Sequence, residues 1–222
     1  MSPSAEQYRA ALDRAHAHTL DWLDSLETRP VRPRASADDL LAEFSGPLQD
    51  GAIDAADVID ELAKIAEPGL MSMASGRFFG WVIGGTLPAA MGADWLVSGW
   101  DQNAGMRGAT PATAAAEEAA GAWLLELLGL PSQSDVGFTT GGTASNFVGL
   151  AAGRQYVLDQ AGWDLDKNGL TGAPRVTVLV GADRHATIDL VLKYLGLGAP
   201  VPIACDDQGR LIPAALAEAM SA

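Results

Sequence analysis

The segment that most constrains the fold runs from Gly137 to Asn146 and reads GFTTGGTASN. Its apolar start predicts a buried strand, which breaks at the Gly141–Gly142 pair and opens directly into a helix. Farther along the chain, the apolar run 176–180 predicts another strand, and His185 follows just past its end. From residue 136 onward, apolar runs alternate with amphipathic helical segments. This alternation predicts an α/β fold with a mainly parallel sheet and helices on both sides.

The alternating part of the chain yields three predicted strands and three predicted helices. The strands are expected near 136–139, 175–181 and 201–204, and the helices near 143–160, near 186–195 and from Pro213. Ligands of parallel α/β sheets bind at the carboxyl ends of the strands. The Gly-rich turn and His185 both fall at such ends, so we expect a ligand site there.

The first part of the chain predicts helices with clear start and stop signals. Residues 1–70 form an arm of short helices, in which Ser36 and Asp54 are predicted N-caps and Pro68–Gly69 is a stop. Farther on, a helix is expected over about 88–100, and another begins at Thr110–Pro111 and ends at Gly129. Arms of this kind often pack on a partner subunit, which favours dimerisation through residues 1–70.

Composition narrows the class of protein. The 222 residues are 48% hydrophobic and 19% charged, as expected of a globular chain. Their formal net charge of -14 argues against binding to nucleic acid or to an anionic membrane surface. A single cysteine, Cys205, excludes an intramolecular disulfide and a cysteine-based metal site. The polar N-terminal sequence and the lack of a long apolar run predict a cytoplasmic protein.

The Gly-rich turn predicts an anion site, with an ordinary strand-to-helix turn as the alternative. Glycines let the backbone come close to a ligand, and Thr143 and Ser145 place hydroxyl groups at the start of a helix, where unpaired N–H groups and the dipole favour phosphate. No lysine follows the glycines, which excludes a P-loop, and the G-x-G-x-x-G fingerprint of dinucleotide sites is absent.

A second polar segment, 164–169, matches the first half of an EF-hand calcium loop. The twelfth position of that loop should be glutamate, and here it is Arg175. We therefore interpret the segment as a polar turn and predict no metal site in this chain.

Several segments, in this order and spacing, resemble the pyridoxal-phosphate-dependent decarboxylases of the aromatic-L-amino-acid and glutamate decarboxylase group. The matching segments are 21–23 (DWL), 65–69 (IAEPG), 76–80 (GRFFG), 110–112 (TPA) with Glu117, 141–145 (GGTAS) and His185. The resemblance runs over nearly the whole length. It implies an aspartate-aminotransferase-like three-layer sandwich (fold type I), here truncated. On this view residues 1–70 are a dimerisation arm, and residues 71–222 are the first part of the large cofactor-binding domain.

The resemblance also implies a role for individual residues. Gly142, Thr143, Ala144 and Ser145 match the positions that hold the phosphate of pyridoxal 5′-phosphate, and His185 matches the histidine that stacks on its ring. Phe78, Phe79 and Trp81 match the segment that lines the substrate entrance, although they are equally consistent with a core. Ser75–Gly76 replaces the His-Pro or similar pair that commonly precedes this segment. The implied substrate is an L-amino acid, and the implied assembly is a homodimer.

The resemblance places two further residues of the reaction beyond Ala222. These are the lysine that holds the cofactor aldehyde as a Schiff base and the aspartate that contacts the pyridine nitrogen. The three lysines present, Lys64, Lys167 and Lys193, do not stand in the matching context. We therefore expect a fragment of a longer decarboxylase that is inactive alone. The alternatives are a non-catalytic cofactor-binding or dimerisation module, and transamination or another lyase reaction on the same scaffold.

Overall fold

A computed structural model describes residues 4–48 and 50–221 of the chain, and the fold divides into two compact units between Asp101 and Gln102. The first three residues of the polar N-terminus and the end of the chain at Ala222 lie outside the described residues. The first unit extends through the helix that follows residue 70, and the predicted domain boundary at residue 70 stays a prediction.

The first unit consists of helices joined by loops: α1 (Ala5–Ser25), α2 (Ala37–Phe44), α3 (Ala55–Ala66), a 3₁₀ turn (Glu67–Gly69) and α4 (Pro88–Trp100). Ser36 caps α2 with a capping box, in which its hydroxyl accepts from the Asp39 N–H, and the Asp54 carboxylate caps α3. Both predicted N-caps are therefore confirmed. Ser4 makes a further capping box at the start of α1.

Helices α1 and α3 pack against each other and share a charged contact. One carboxylate oxygen of Asp60 accepts from Arg14 Nε and lies against His18 Nε2, each at 2.7 Å. Beyond the end of α1, the Arg29 guanidinium stacks 3.5 Å from the Trp22 ring centroid and pairs with Glu67. The segment after the 3₁₀ turn is held next to Arg29 by Ser72, whose fully buried hydroxyl donates to the Pro30 carbonyl at 2.9 Å.

The second unit contains five helices and a small sheet among its described residues. The elements are α5 (Pro111–Leu128), α6 (Gly142–Gln160), α7 (Leu165–Asn168), β1 (Leu179–Gly181), α8 (Thr187–Tyr194), β2 (Val201–Ile203) and α9 (Pro213–Ser221). Strands β1 and β2 are parallel, with Leu179 opposite Val201. Helix α6 packs on α8, and a small apolar core forms from Leu158, Val191, Leu192, Leu195 and Ile203.

The predicted strand near 136–139 is wrong, because these residues belong to no sheet among the described elements. A strand exists only where a neighbour pairs with its backbone N–H and C=O groups, and an apolar pattern does not supply that neighbour. The other two predicted strands do form, shortened to three residues each. Within the described ranges, no helix is long and apolar enough to cross a membrane.

Candidate functional site

The N-terminus of α6 presents unpaired backbone donors. The first helical bond of this end runs from the Ser145 N–H to the Gly141 carbonyl at 3.0 Å. No side chain caps the helix, and the N–H groups of Gly142, Thr143 and Ala144 have no partner among the described residues. Three free donors at the positive end of a 19-residue helix are suited to an anion.

The glycines of this turn leave room for a ligand to approach the backbone. A Cβ atom built on Gly141 or Gly142 would meet no protein atom within 4 Å. A cavity of about 520 Å³ opens here, lined by residues 140–144 together with Phe147, Val148, Val191 and Tyr194. This volume lies within the range of about 300–1,000 Å³ that is usual for small-molecule sites.

Two hydroxyl groups stand beside the free donors. The Thr143 hydroxyl has no partner in the part of the chain that the structure describes, so it is available to a phosphate oxygen. The Ser145 hydroxyl instead lies 2.6 Å from Thr139 Oγ1 and does not line the cavity. Sequence reasoning missed Thr139. Its only signal was a polar residue at the end of an apolar run, two positions before the Gly pair.

His185 lies in the short connection between β1 and α8, where the sequence predicted it, and its side chain is exposed. It does not line the cavity of the Gly-rich turn, which reaches α8 farther along, at Val191 and Tyr194. The connection is held by Arg184, which contacts both carboxylate oxygens of Asp189 at 2.7–3.2 Å. Hydrogen bonding from Arg184 lowers the pKa of Asp189, so the carboxylate of this ion pair is charged at neutral pH.

A chain of hydrogen bonds joins the start of α6 to His185. Asn146, the residue after Ser145, donates from Nδ2 to Thr187 Oγ1 at 3.0 Å, and Thr187 Oγ1 lies 2.9 Å from His185 Nδ1. The structure therefore connects the Gly-rich turn with His185, although they are about forty residues apart in sequence. Sequence reasoning did not identify Asn146 or Thr187, because their contact depends on how α6 packs against α8.

The donor set at the start of α6 fits the phosphate group of pyridoxal 5′-phosphate. Backbone N–H groups and a hydroxyl are donors without charge, and the helix dipole supplies the favourable potential for a dianion. The open space above the Gly pair admits the phosphate to the backbone. The turn could thus hold the cofactor phosphate in the way that the resemblance implies.

The aromatic segment predicted to line a substrate entrance lies in the first unit. Phe79 and Trp81 are 93% and 74% exposed, and Phe78 contacts Trp81 with ring centroids 6.3 Å apart. Trp81 and Val82 have φ angles of 52° and 54°, a left-handed conformation that costs about 1–2 kcal/mol per residue. An exposed, strained aromatic segment is typical of a ligand or partner surface. Its role at the entrance stays a prediction.

The remaining polar candidates have structural explanations. The half calcium loop forms the short helix α7, whose N-cap Asp164 accepts from the Lys167 N–H at 3.0 Å. Over the described ranges, no three His, Cys, Asp or Glu side chains come together as a metal site requires. Lys64, Lys167 and Lys193 lie in α3, α7 and α8.

Comparison with known proteins identifies relatives that share this fold. No family model matches the chain. A curated relative, tryptophan decarboxylase 1 of Oryza sativa subsp. japonica, is 27% identical over 236 residues, which cover 99% of this chain and 45% of the relative. The crystal structure of Oryza sativa TDC with PLP has a TM-score of 0.84 at 25% identity and covers 100% of this chain and 49% of its own. Mouse CSAD in apo form has a TM-score of 0.87 at 19% identity and covers 98% and 46%.

The chain thus spans about half the length of the relatives that it matches. The predicted resemblance to pyridoxal-phosphate-dependent decarboxylases is confirmed, as is the aspartate-aminotransferase-like fold of type I.

Proposed function

We propose that this chain is part of a pyridoxal-phosphate-dependent carboxy-lyase that removes the carboxyl group of an L-amino acid. The observation that carries the proposal is the start of α6, where three free N–H groups and the Thr143 hydroxyl surround open space at the Gly pair. The resemblance to decarboxylases assigns the phosphate of pyridoxal 5′-phosphate to this same turn.

In this proposal the chain's own residues bind and orient the cofactor. Gly142, Thr143 and Ala144 hold the phosphate through backbone donors. Ser145, whose hydroxyl contacts Thr139 Oγ1, is the fourth residue of the proposed phosphate site. His185 stacks on the ring and keeps a polar edge for proton transfer. The bound cofactor supplies the electron sink that decarboxylation of an amino acid requires.

The substrate contacts and the domain roles are further parts of the proposal. Phe78, Phe79 and Trp81 would line the entrance for the amino acid. Residues 1–70 would be the arm and residues 71–222 the first part of the cofactor domain. A cytoplasmic location is a further part of the proposal.

Homodimerisation through the arm is supported by the apolar surface of its helices. None of α1, α2 and α3 has a fully buried residue. Large side chains on these helices are instead exposed: Tyr8, Leu12, Leu20, Leu41, Phe44, Val58 and Leu62. An apolar groove of about 490 Å³ also runs between α1 and α3. Surfaces of this kind mark contacts with another protein, and the proposed partner is a second copy of the chain.

The experiment that tests the function is release of labelled carbon dioxide from carboxyl-labelled L-amino acids by the product of the complete gene. We expect release that depends on added cofactor and falls in the Thr143→Val variant. The 222-residue chain assayed alone is expected to release none. Amino-group transfer without carbon dioxide would instead favour transamination, and cofactor binding without any turnover would favour a binding module.

A further inference from the structure

The environment of His185 Nδ1 determines where the imidazole carries its proton. The backbone N–H of Thr187 points at Nδ1, with the two nitrogens 3.2 Å apart. A backbone amide can only donate, so Nδ1 must offer its lone pair. In the neutral ring this geometry places the proton on Nε2.

The same reasoning fixes the direction of the next two hydrogen bonds. Since Nδ1 carries no proton, the Thr187 hydroxyl at 2.9 Å must donate to it. The oxygen of that hydroxyl then has only lone pairs to offer, and it accepts from Asn146 Nδ2 at 3.0 Å. Each bond in the chain thus runs in one direction, from Asn146 through Thr187 to His185.

Asn146 and Thr187 are placed to transmit this constraint between two elements. Asn146 is in the first turns of α6, directly after the proposed phosphate residues, and Thr187 is the first residue of α8. Both side chains are partly buried, and the two helices pack against each other. The helix start that presents donors to the phosphate therefore also orients the histidine.

We infer that Asn146 and Thr187 are positioning residues that hold His185 as the Nε2–H tautomer in one ring orientation. This inference rests on the proposed function for its role in the reaction, because it is the ring-stacking histidine that is held. The Nε2–H makes no hydrogen bond among the described residues and is left free to donate. An imidazole protonated at Nδ1 would meet the Thr187 N–H donor to donor and lose that bond.

The tautomer can be measured without cofactor, from the ring ¹⁵N and ¹³C shifts of the histidines in the labelled full chain at alkaline pH. The chain has three histidines. His16 and His18, in the other unit, serve as internal references. The variants are Asn146→Asp, which replaces the donor by an acceptor of the same shape, Thr187→Val, which removes the hydroxyl, and Thr187→Ser, which keeps it.

We expect His185 in the wild type and in Thr187→Ser to be predominantly the Nε2–H tautomer. Asn146→Asp draws the Thr187 hydroxyl toward the new carboxylate and should shift His185 toward Nδ1–H, while Thr187→Val gives an intermediate population. A wild-type Nδ1–H tautomer, or equal populations in all four proteins, would overturn the inference. If the four proteins show the expected tautomers but the wild type binds no pyridoxal 5′-phosphate, the proposed function alone fails and the inference stands.

Discussion

At the scale of single residues, Asp60 links two helices of the first unit through one carboxylate oxygen. One of its carboxylate oxygens meets both Arg14 and His18 of the neighbouring helix at 2.7 Å. The hydrogen bond from Arg14, and then the one from His18, lowers the pKa of Asp60. Because the folded-state pKa is depressed, the contribution of Asp60 to stability is present above the unfolded pKa of about 3.9 and is lost as the pH falls below it.

We therefore expect Asp60→Asn to lower the urea midpoint of unfolding at neutral pH and to have little effect in strong acid, where the native carboxylate is also protonated. The matched control is Asp13→Asn, on an exposed position of α1 that makes no ion pair among the described residues. An Asp60→Asn effect that persists unchanged in acid would show that the contact does not depend on charge.

Residue roles could be predicted from the sequence where they depend on near neighbours. Thr143 and Ser145 stand at a helix start because the Gly pair precedes them, and this was visible in the chain. Asn146 and Thr187 are forty-one residues apart, and only the packing of α6 on α8 brings them together. No local pattern marks such a pair, so the positioning of His185 needed the structure.

At the scale of elements, two glycines differ in how alanine should affect the stability of their helices. Gly129 ends α5 with φ +64°, and the Leu130 N–H beyond it donates back to the Leu125 carbonyl at 2.9 Å. Gly153 lies inside α6, where an added Cβ would meet nothing within 4 Å. Gly129 therefore has a left-handed backbone conformation, whereas Gly153 has the ordinary conformation of a helix interior.

We expect Gly129→Ala to destabilise the chain by about 1 kcal/mol, because alanine is strained in the left-handed conformation. Gly153→Ala should stabilise it by about 0.5–1 kcal/mol, because alanine loses less backbone entropy in a helix. Urea unfolding followed by circular dichroism measures both changes. Shifts of the same sign in the two variants would contradict this account of α5 and α6.

Helices were predicted better than strands for a physical reason. The ends of α2, α3 and α5 are determined by capping residues and by proline and glycine within the helix or next to it. The segment 136–139 has the apolar pattern of a strand, yet a strand requires a partner from elsewhere in the chain. Residues 179–181 have that partner in 201–203 and form the parallel pair.

At the scale of the whole molecule, the accessible surface is large. The chain exposes 16768 Å². Two compact globular units that shared 222 residues would together expose about 11,600 Å², which is about 5,000 Å² less. A standard protein–protein interface buries about 1,600 Å² in total. The surplus exceeds what the proposed contact between two copies needs, and it also leaves surface for the rest of the longer protein of which the chain is proposed to be a part.

We expect the chain to self-associate in sedimentation velocity experiments, with a dimer that grows with concentration. Leu12→Glu, at a 57% exposed position of the arm, should shift the equilibrium toward monomer. Leu127→Glu, which is 81% exposed on α5 outside the arm, is the control and should leave the dimer intact. A monomer at every concentration, or equal weakening by both variants, would count against dimerisation through the arm.

The most direct test of the central claim is to titrate the chain with pyridoxamine 5′-phosphate and with pyridoxamine by calorimetry. Neither compound has an aldehyde, so lysine adducts do not contribute, and the comparison isolates the phosphate. We predict that the phosphorylated compound binds far more tightly. Thr143→Val should weaken its binding by about tenfold or more, while the exposed control Thr171→Val leaves it unchanged. Equal affinities for the two compounds, or no effect of Thr143→Val, would contradict a phosphate site at the start of α6.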